Sequence, residues 1–194
     1  LRIATIATNT LLAGATGAIV AMYVRMARTG MADLPISCNG ALAGLVGITA
    51  PCAYVSPWAA VVIGGIAALV MMGSVHFVER NLKVDDPVGA VSVHGAAGLW
   101  GLLAVGIFAN GDYGDVSGLI VGDGEQILAQ LISMVTVLAW SLGTGLALFW
   151  FIKKTIGLRA SEEEELEGMD MPEHGMLAYP EVQGLVAPAG GGNG

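Results

Sequence analysis

Long runs of apolar residues, separated by short polar breaks, dominate the chain. Five of them approach the length of about 20 residues that crosses a bilayer core of about 30 Å. These runs cover Ile3–Val24, Ile36–Val55, Trp58–Val78, Pro87–Ala109 and Ile127–Ile152. The breaks contain proline, glycine, serine and charged residues, which are typical of helix ends and turns. The pattern predicts five transmembrane helices followed by a polar C-terminal segment.

The composition also indicates an integral membrane protein. Of the 194 residues, 55% are hydrophobic and 12% are charged, whereas about 25% are charged in soluble domains. The net charge is −8, and half of the sixteen carboxylates lie between Glu162 and Glu181. The chain has no basic patch that would bind nucleic acid. We therefore expect an all-α membrane bundle over residues 1–157 and a cytoplasmic acidic tail over 158–194.

The first residues do not resemble a signal peptide. The chain begins at Leu1 and enters an apolar run at once, without a charged n-region or a small-residue cleavage site. We expect the chain to be the C-terminal part of a longer protein.

Basic residues predict the orientation of the spans, because they are retained in cytoplasmic loops. They follow the first, third and fifth apolar runs, as Arg25 and Arg28, Arg80 and Lys83, and Lys153, Lys154 and Arg159. Arg2 is the one basic residue at the opposite ends, where acidic residues fill the loop before the fifth run. The first span should therefore begin outside, with the C-terminal tail in the cytoplasm.

The strongest candidate for a functional residue is His94, inside the fourth apolar run. An imidazole is costly in hydrocarbon, so we expect it to face a protein cavity or a water path. Histidine is the side-chain type whose unperturbed pKa lies nearest neutrality, which suits proton transfer. The alternative is a core histidine that is hydrogen-bonded to a neighbouring helix. Asp85, Asp86 and Pro87 precede this run, and we expect the carboxylates to stabilise the helix N-terminus, with Pro87 in its first turn.

The sequence gives little support for metal binding, cofactor binding or enzymatic catalysis. The three histidines are dispersed and the two cysteines form no ligand cluster, so we expect no metal and no cofactor. No phosphate-binding glycine loop, nucleophile elbow or paired catalytic carboxylates are present, and we do not expect an enzyme. His76 lies three residues before Glu79, and we expect these two side chains to pair near the inner surface.

Three groups of residues together carry a family resemblance. They are Cys38-Asn39-Gly40-Ala41-Leu42-Ala43-Gly44-Leu45-Val46-Gly47-Ile48-Thr49, the stretch from Val84 to Gly95, and a tail with Gly157-Leu158-Arg159, Glu167-Gly168-Met169-Asp170, His174-Gly175 and Ala178-Tyr179. In this order and spacing, the chain resembles the C-terminal half of the Amt/Mep/Rh ammonium transporter family, of the Amt type. The resemblance covers residues 1–187.

The resemblance implies an eleven-span protomer in a homotrimer with one pore per subunit, of which these five spans would be the seventh to the eleventh. In the family, ammonia crosses a narrow apolar pore that is lined by two hydrogen-bonded histidines. His94 matches the second histidine, and Leu42 and Ala90 match apolar positions of the pore wall. Thr49 falls near the outer mouth, and Asp85 and Asp86 near the inner end. The first histidine and the outer recruitment site would lie upstream of Leu1.

The resemblance also gives the tail a regulatory role, since the family's tail contacts a neighbouring subunit and couples to PII-type signalling proteins. Gly168 and Asp170 match the turn of that tail. Two departures are visible there: Pro172 replaces a phosphorylatable threonine of some relatives, and Met176 replaces a common glutamate. A third departure lies in the fourth run, where Gly89 occupies a position at which the family often has an acidic residue.

The sequence therefore predicts ammonium or ammonia transport through a plasma or inner membrane, with this chain supplying part of the pathway. An ammonium-sensing membrane module that signals to cytoplasmic nitrogen regulators is the alternative. A gas channel of the Rh type is a third possibility, which the tail residues disfavour.

Overall fold

The computed structural model describes residues 2–179, apart from the side chain of Glu167. The chain divides into two compact units, 1–141 and 142–194. The long helices are α1 (Arg2–Thr29), α2 (Leu34–Thr49), α3 (Pro57–Phe77), α4 (Ala97–Phe108) and α5 (Glu125–Thr155), and the tail contains α6 (Glu162–Glu167) and α7 (Asp170–His174). A first π-helical turn, Val78–Leu82, extends α3, and a second one, Val91–Ala96, leads into α4. Leu119–Val121 form a 3₁₀ turn.

Within residues 2–179, four helical segments are long and apolar enough to cross a membrane. They are Arg2–Thr29, Pro57–Leu82, Val91–Phe108 and Glu125–Thr155. The second predicted span is a shorter apolar helix, Leu34–Thr49, followed by turns. Pro51 explains this end, because it has no N–H to donate to the preceding helical turn. The fourth span begins at Val91 rather than at Pro87, since Pro87 and Val88 form a turn.

The start of α2 is fixed by a side-chain cap. Asp33 is the N-cap residue, and its Oδ1 accepts a hydrogen bond from the backbone N–H of Ile36 at 3.1 Å. Its Oδ2 lies 3.3 Å from Nε of Arg25 near the end of α1. This carboxylate therefore satisfies free N–H groups of one helix and pairs with a cation of the helix before it.

Helices α1, α2 and α3 approach each other closely through small residues. A methyl group added at Gly44 or at Gly64 would overlap with the carbonyl oxygen of Ala13, and one added at Gly17 would overlap with that of Gly40. Small-residue faces are the usual way in which membrane helices reach such short separations. The glycines of α2 therefore position it directly against α1.

Small buried side chains continue this packing between the other helices. One cluster joins α1, α2, α3 and α4 and contains Ala13, Ile48, Val55, Ala59, Ala60, Ile63 and Ala104. A second cluster contains Ala43, Ala67, Met71, Val93 and Ala97. Because Val93 belongs to it, the second π-helical turn is anchored in the core of the first unit.

Two polar side chains hold the bundle at defined points. Asn9 is fully buried, and its Nδ2 donates to the carbonyl oxygens of Cys52 at 2.9 Å and Val55 at 2.8 Å. Trp100 donates from Nε1 to the carbonyl oxygen of Ile63 at 3.0 Å. These three bonds satisfy backbone carbonyls that apolar surroundings would otherwise leave without a partner.

Helix α5 has no buried residue over its whole length of 31 residues. Its exposed side chains are mostly large and apolar, among them Leu128, Ile132, Val135, Trp140 and Leu146. At about 1.5 Å per residue it is roughly 47 Å long, which exceeds a bilayer core of about 30 Å. These properties are those of a helix in contact with lipid or with further protein. The predicted division into membrane bundle and tail at residue 157 stays a prediction.

Candidate functional site

The second π-helical turn carries His94 and is held by the Asp86 carboxylate. Asp86 is 5% exposed. Its Oδ1 accepts from the backbone N–H of Val91 at 3.3 Å and its Oδ2 from that of Ser92 at 3.4 Å. The carboxylate thus meets the free N–H groups at the start of this helical segment, where a negative charge is favourable. Pro87 lies in the turn before the helix and not in its first turn.

The turn before His94 depends on a glycine. Gly89 has a φ of +71°, which side-chain-bearing residues rarely adopt. A Cβ added there would also lie 3.1 Å from Nδ2 of Asn39, which donates to the carbonyl oxygen of Val88 at 3.1 Å. An acidic residue at position 89 would therefore be strained in this structure.

We expect Asp86→Ala to destabilise the first unit by about 1 kcal/mol, as loss of a capping side chain does. Asp85→Ala is the matched control, because Asp85 is exposed and accepts no hydrogen bond from the described residues. Thermal unfolding in detergent of the complete protein would measure both variants. Equal melting temperatures for Asp86→Ala and Asp85→Ala would contradict a capping role.

His94 is exposed on the surface of the described chain, as is Ala90 one turn before it. Of the three residues between them, Val91 is exposed, whereas Ser92 and Val93 are buried. A π-helical segment has one residue more per turn than an α-helix, and such segments often occur at functional sites. The buried face of this turn is therefore anchored, while the imidazole is presented outward.

Leu42 and Thr49 lie seven residues apart on one exposed face of α2. Leu42 is 45% exposed. The hydroxyl of Thr49 donates to the carbonyl oxygen of Leu45 in its own helix at 2.7 Å, so its proton is not available to a ligand in this rotamer. The exposed face of α2 is thus apolar at Leu42 and can offer a hydroxyl acceptor at Thr49.

The two elements that carry these four residues are neighbours in the first unit. A methyl group added at Gly101 of α4 would lie 2.6 Å from the carbonyl oxygen of Gly47 in α2, and one added at Gly98 would lie 3.7 Å from Val46. The Asn39 bond to Val88 joins α2 to the turn before His94. The structure therefore places His94, Ala90, Leu42 and Thr49 on adjoining helices, each with an exposed side chain.

Three polar residues of this region contribute contacts that the sequence did not predict. Asn39 and Asn9 tie α2 and the following turn to their neighbours, and both are isolated amides in apolar runs, which is a signal that points to buried hydrogen bonds. The Ser92 hydroxyl is buried without a hydrogen-bond partner among residues 2–179. No sequence signal distinguishes Ser92 from an ordinary small packing residue.

His76 and Glu79 lie elsewhere, at the end of the first unit where α1 and α3 end and α2 begins. Both line a cavity of about 560 Å³ there, together with Arg25, Arg28 and Arg80. The expected pairing is not formed, since no hydrogen bond or ion pair joins His76 to Glu79 among the described side chains. Within residues 2–179, no three histidine, cysteine or carboxylate side chains come together as a metal site would require.

In the second unit, Gly168 and Asp170 flank the turn between α6 and α7. Gly168 has a φ of +97°, a conformation that favours glycine. Oδ2 of Asp170 accepts from the backbone N–H of Ala178 at 3.0 Å. Both residues therefore shape the tail locally, and their regulatory role stays a prediction.

Helix α6 begins with a reciprocal cap between Ser161 and Glu164. The Ser161 Oγ accepts from the Glu164 N–H at 3.3 Å, and a carboxylate oxygen of Glu164 accepts from the Ser161 N–H at 2.8 Å. Hydrogen bonds from the backbone and then the side chain of Ser161 hold the pKa of Glu164 below its ordinary value. This pair gives the start of the acidic run a defined helical end.

Comparisons with known proteins place the chain in a family. The model of the Ammonium Transporter Family matches residues 2–179. Ammonium transporter Amt2 of Archaeoglobus fulgidus is 50% identical over 187 residues, which are 93% of this chain and 40% of that protein. Ammonium transporter 1 member 1 of Arabidopsis thaliana is 39% identical over 183 residues, which are 89% of this chain and 36% of that protein.

Solved structures show the same relationship. A sensor Amt protein superimposes with a TM-score of 0.80 at 33% identity, over 90% of this chain and 42% of that one. Candida albicans Mep2 gives a TM-score of 0.76 at 30% identity, over 84% of this chain and 38% of its own. The chain spans about two fifths of the length of the relatives that it matches. It belongs to the Ammonium Transporter Family and has part of the helical membrane fold of Amt and Mep proteins.

Proposed function

We propose that the complete protein that contains this chain is a transporter, not an enzyme, and moves ammonium or ammonia across a membrane. In this proposal the chain supplies the seventh to eleventh spans of an eleven-span protomer. His94 is the second histidine of the pore, Leu42 and Ala90 belong to its wall, and Thr49 lies near its outer mouth. The remaining spans and the first pore histidine come from upstream residues.

One observation carries the proposal: the imidazole of His94 is exposed on an apolar helical segment, which the Asp86 cap and the buried Val93 join to the bundle. An exposed imidazole in a membrane span is costly against lipid, whereas a protein cavity or water path lowers that cost. The capped π-helical turn presents the side chain outward while Ser92 and Val93 are buried. A surface of this kind suits contact with the other half of a transporter.

The chemistry of the exposed residues fits a small neutral amine better than a cation. An imidazole can donate a hydrogen bond to ammonia or accept one from it. Apolar neighbours such as Leu42 and Ala90 offer no ligands to replace the water around potassium or ammonium, so a dry wall excludes both ions. A proton that is left by ammonium needs its own carrier, for which a histidine is suited.

The proposal extends to assembly and regulation. Basic residues at alternate helix ends support a cytoplasmic tail in a plasma or inner membrane. The acidic α6, the Gly168 turn and Asp170 then face the cytoplasm, where the tail would contact a neighbouring subunit of a homotrimer and a PII-type signalling protein. Asp85 and Asp86 lie at the inner end of the pathway, with Asp86 in the capping role described above.

Proteoliposomes that contain the complete protein test transport directly. An inward ammonium gradient should evoke a current or an internal pH change, and an equal potassium gradient should evoke neither. Protein-free liposomes control for passive ammonia leakage. A response to potassium of the same size, or no response to ammonium from folded protein, would overturn the proposal.

A sensing module is the second candidate, because a sensor Amt protein is among the structures that superimpose on this chain. In that case ammonium would bind and change the tail without net flux. The same proteoliposomes separate the two functions if ammonium binding is followed in parallel by tryptophan fluorescence. Binding without a current or pH change would favour sensing.

A further inference from the structure

Asn39 and Asp86 bind the two groups of a hydrogen bond that an unbroken α-helix would make within itself. In such a helix the backbone N–H of Ser92 would donate to the carbonyl oxygen of Val88, four residues before it. In this structure the Ser92 N–H donates instead to Oδ2 of Asp86 at 3.4 Å. The Val88 carbonyl accepts instead from Nδ2 of Asn39 at 3.1 Å. Side chains of two different elements therefore end the helix at this point.

The hydrogen-bond register of the backbone changes directly after this point, around His94. The N–H of Val93 donates to the carbonyl oxygen of Gly89, four residues back, at 2.8 Å. The N–H of Ala97 donates to the carbonyl oxygen of Ser92, five residues back. Because His94 lies between these two donors, the direction of its imidazole depends on where the wider π-helical turn is placed.

Ser92 contains a second donor for the Val88 carbonyl. Its hydroxyl is buried and has no hydrogen-bond partner among residues 2–179. In a helix, a serine hydroxyl can donate to the carbonyl four residues back, which here is that of Val88. Loss of the Asn39 bond would therefore leave this carbonyl free for the N–H or the hydroxyl of Ser92, and the helix could close one further α-helical turn.

Asn39 also connects the turn to the part of α2 that the proposed function places in the pore wall. It precedes Leu42 by three residues, which places both side chains on one side of the helix. A Cβ added at Gly89 would lie 3.1 Å from Nδ2 of Asn39, so the amide packs directly against the turn. The bond from Asn39 therefore fixes the segment that carries His94 relative to the apolar face of α2.

We propose that Asn39 is a positioning residue for His94, and that its hydrogen bond to the Val88 carbonyl holds the imidazole in the direction that transport requires. This role rests on the proposed function, because it concerns the imidazole in the transport path. Asn39 acts through the turn and not by contact with ammonia. Without its bond, Ser92 bonds to the Val88 carbonyl, the π-helical turn moves and the imidazole changes direction.

Two substitutions remove the amide donor in different ways. Asn39→Leu introduces an apolar side chain, and Asn39→Asp introduces a carboxylate, which does not donate at neutral pH. Both variants should fold, because Asn39 is half-buried. In proteoliposomes of the complete protein, both should lower the maximal ammonium-evoked current about tenfold and leave the half-saturating ammonium concentration within about twofold, since a misplaced group slows the step that it serves.

Solid-state NMR of the complete protein with ¹⁵N-labelled histidine rings observes the imidazole independently of transport. The His94 resonance is assigned by its absence from the spectrum of His94→Ala. It should shift in both Asn39 variants. It should keep its position in Ser37→Ala, the matched control, which loses a side-chain hydrogen bond of 2.7 Å to the Asp33 carbonyl at the start of α2.

An unchanged His94 resonance in either Asn39 variant would overturn the proposal. An equal shift in Ser37→Ala would also overturn it, because any loosening of α2 would then have the same effect. A shifted resonance with an unchanged maximal current would show that the direction of the imidazole does not matter for transport, with the same consequence. A wild-type protein without an ammonium current refutes the proposed function instead, and the resonances then still decide whether Asn39 holds the imidazole.

Discussion

Replacing His94 by alanine in the complete protein should reduce the ammonium-evoked current in proteoliposomes at least about tenfold, because side chains positioned for proton transfer contribute factors of that size or more. The variant should remain folded, since His94 is exposed and forms no hydrogen bond with other described residues. The alanine also removes the exposed imidazole that this helical segment offers to ammonia, so that both proton transfer and amine binding are lost.

His174→Ala is the control for the loss of a histidine, because His174 lies in α7 outside the apolar helices. It should leave the current within about twofold. If the His94→Ala protein keeps the same ammonium current and still excludes potassium, His94 is not part of the transport path. The family membership, which rests on the whole of residues 2–179, would not change.

Gly44→Ala should destabilise the complete protein by roughly 1–3 kcal/mol, which is the range for adding a group to a tightly packed core. The added methyl would overlap with the carbonyl oxygen of Ala13, a backbone atom that cannot rotate away. Helices α1 and α2 would have to separate to accommodate it. The melting temperature and the yield of monodisperse protein in detergent would report the effect.

Gly143→Ala is the matched control for this substitution. Gly143 lies within α5, and a Cβ there meets nothing within 4 Å. Alanine in a helix interior is favoured over glycine by roughly 0.5–1 kcal/mol, so this variant should melt at or slightly above the wild-type temperature. If the Gly44→Ala and Gly143→Ala variants have the same melting temperature, the close approach of α2 to α1 does not contribute to stability.

The positions of the long helices could be predicted from hydrophobicity alone. Four predicted spans correspond to helices of spanning length, because about 20 apolar residues in sequence have few other stable arrangements in a membrane. The exception is instructive: the apolar run from Ile36 to Val55 contains Pro51, and its helix ends at Thr49. A proline does not interrupt an apolar run in the sequence. It does interrupt the helix, because it has no N–H to donate to the preceding turn.

The candidate site was predictable by residue type but not by geometry. A histidine in an apolar run indicates function, and the Asp85-Asp86 pair indicates a helix start. The helix begins only after Gly89 and continues as a π-helical turn. This geometry depends on the positive φ of Gly89 and on the burial of Ser92 and Val93 in the core. Likewise, proximity alone suggested that His76 would pair with Glu79, whereas both side chains line a cavity without meeting.

The two glycine contacts on Ala13 have a consequence for how the protein moves. Gly44 of α2 and Gly64 of α3 both abut the same carbonyl group of α1, so neither helix can slide along α1 without colliding with that oxygen or losing the contact. The three helices should therefore shift as one body through any working cycle. Superposition of different conformations on α1, α2 and α3 would give a fixed frame, in which displacement of the segment around His94 becomes directly measurable.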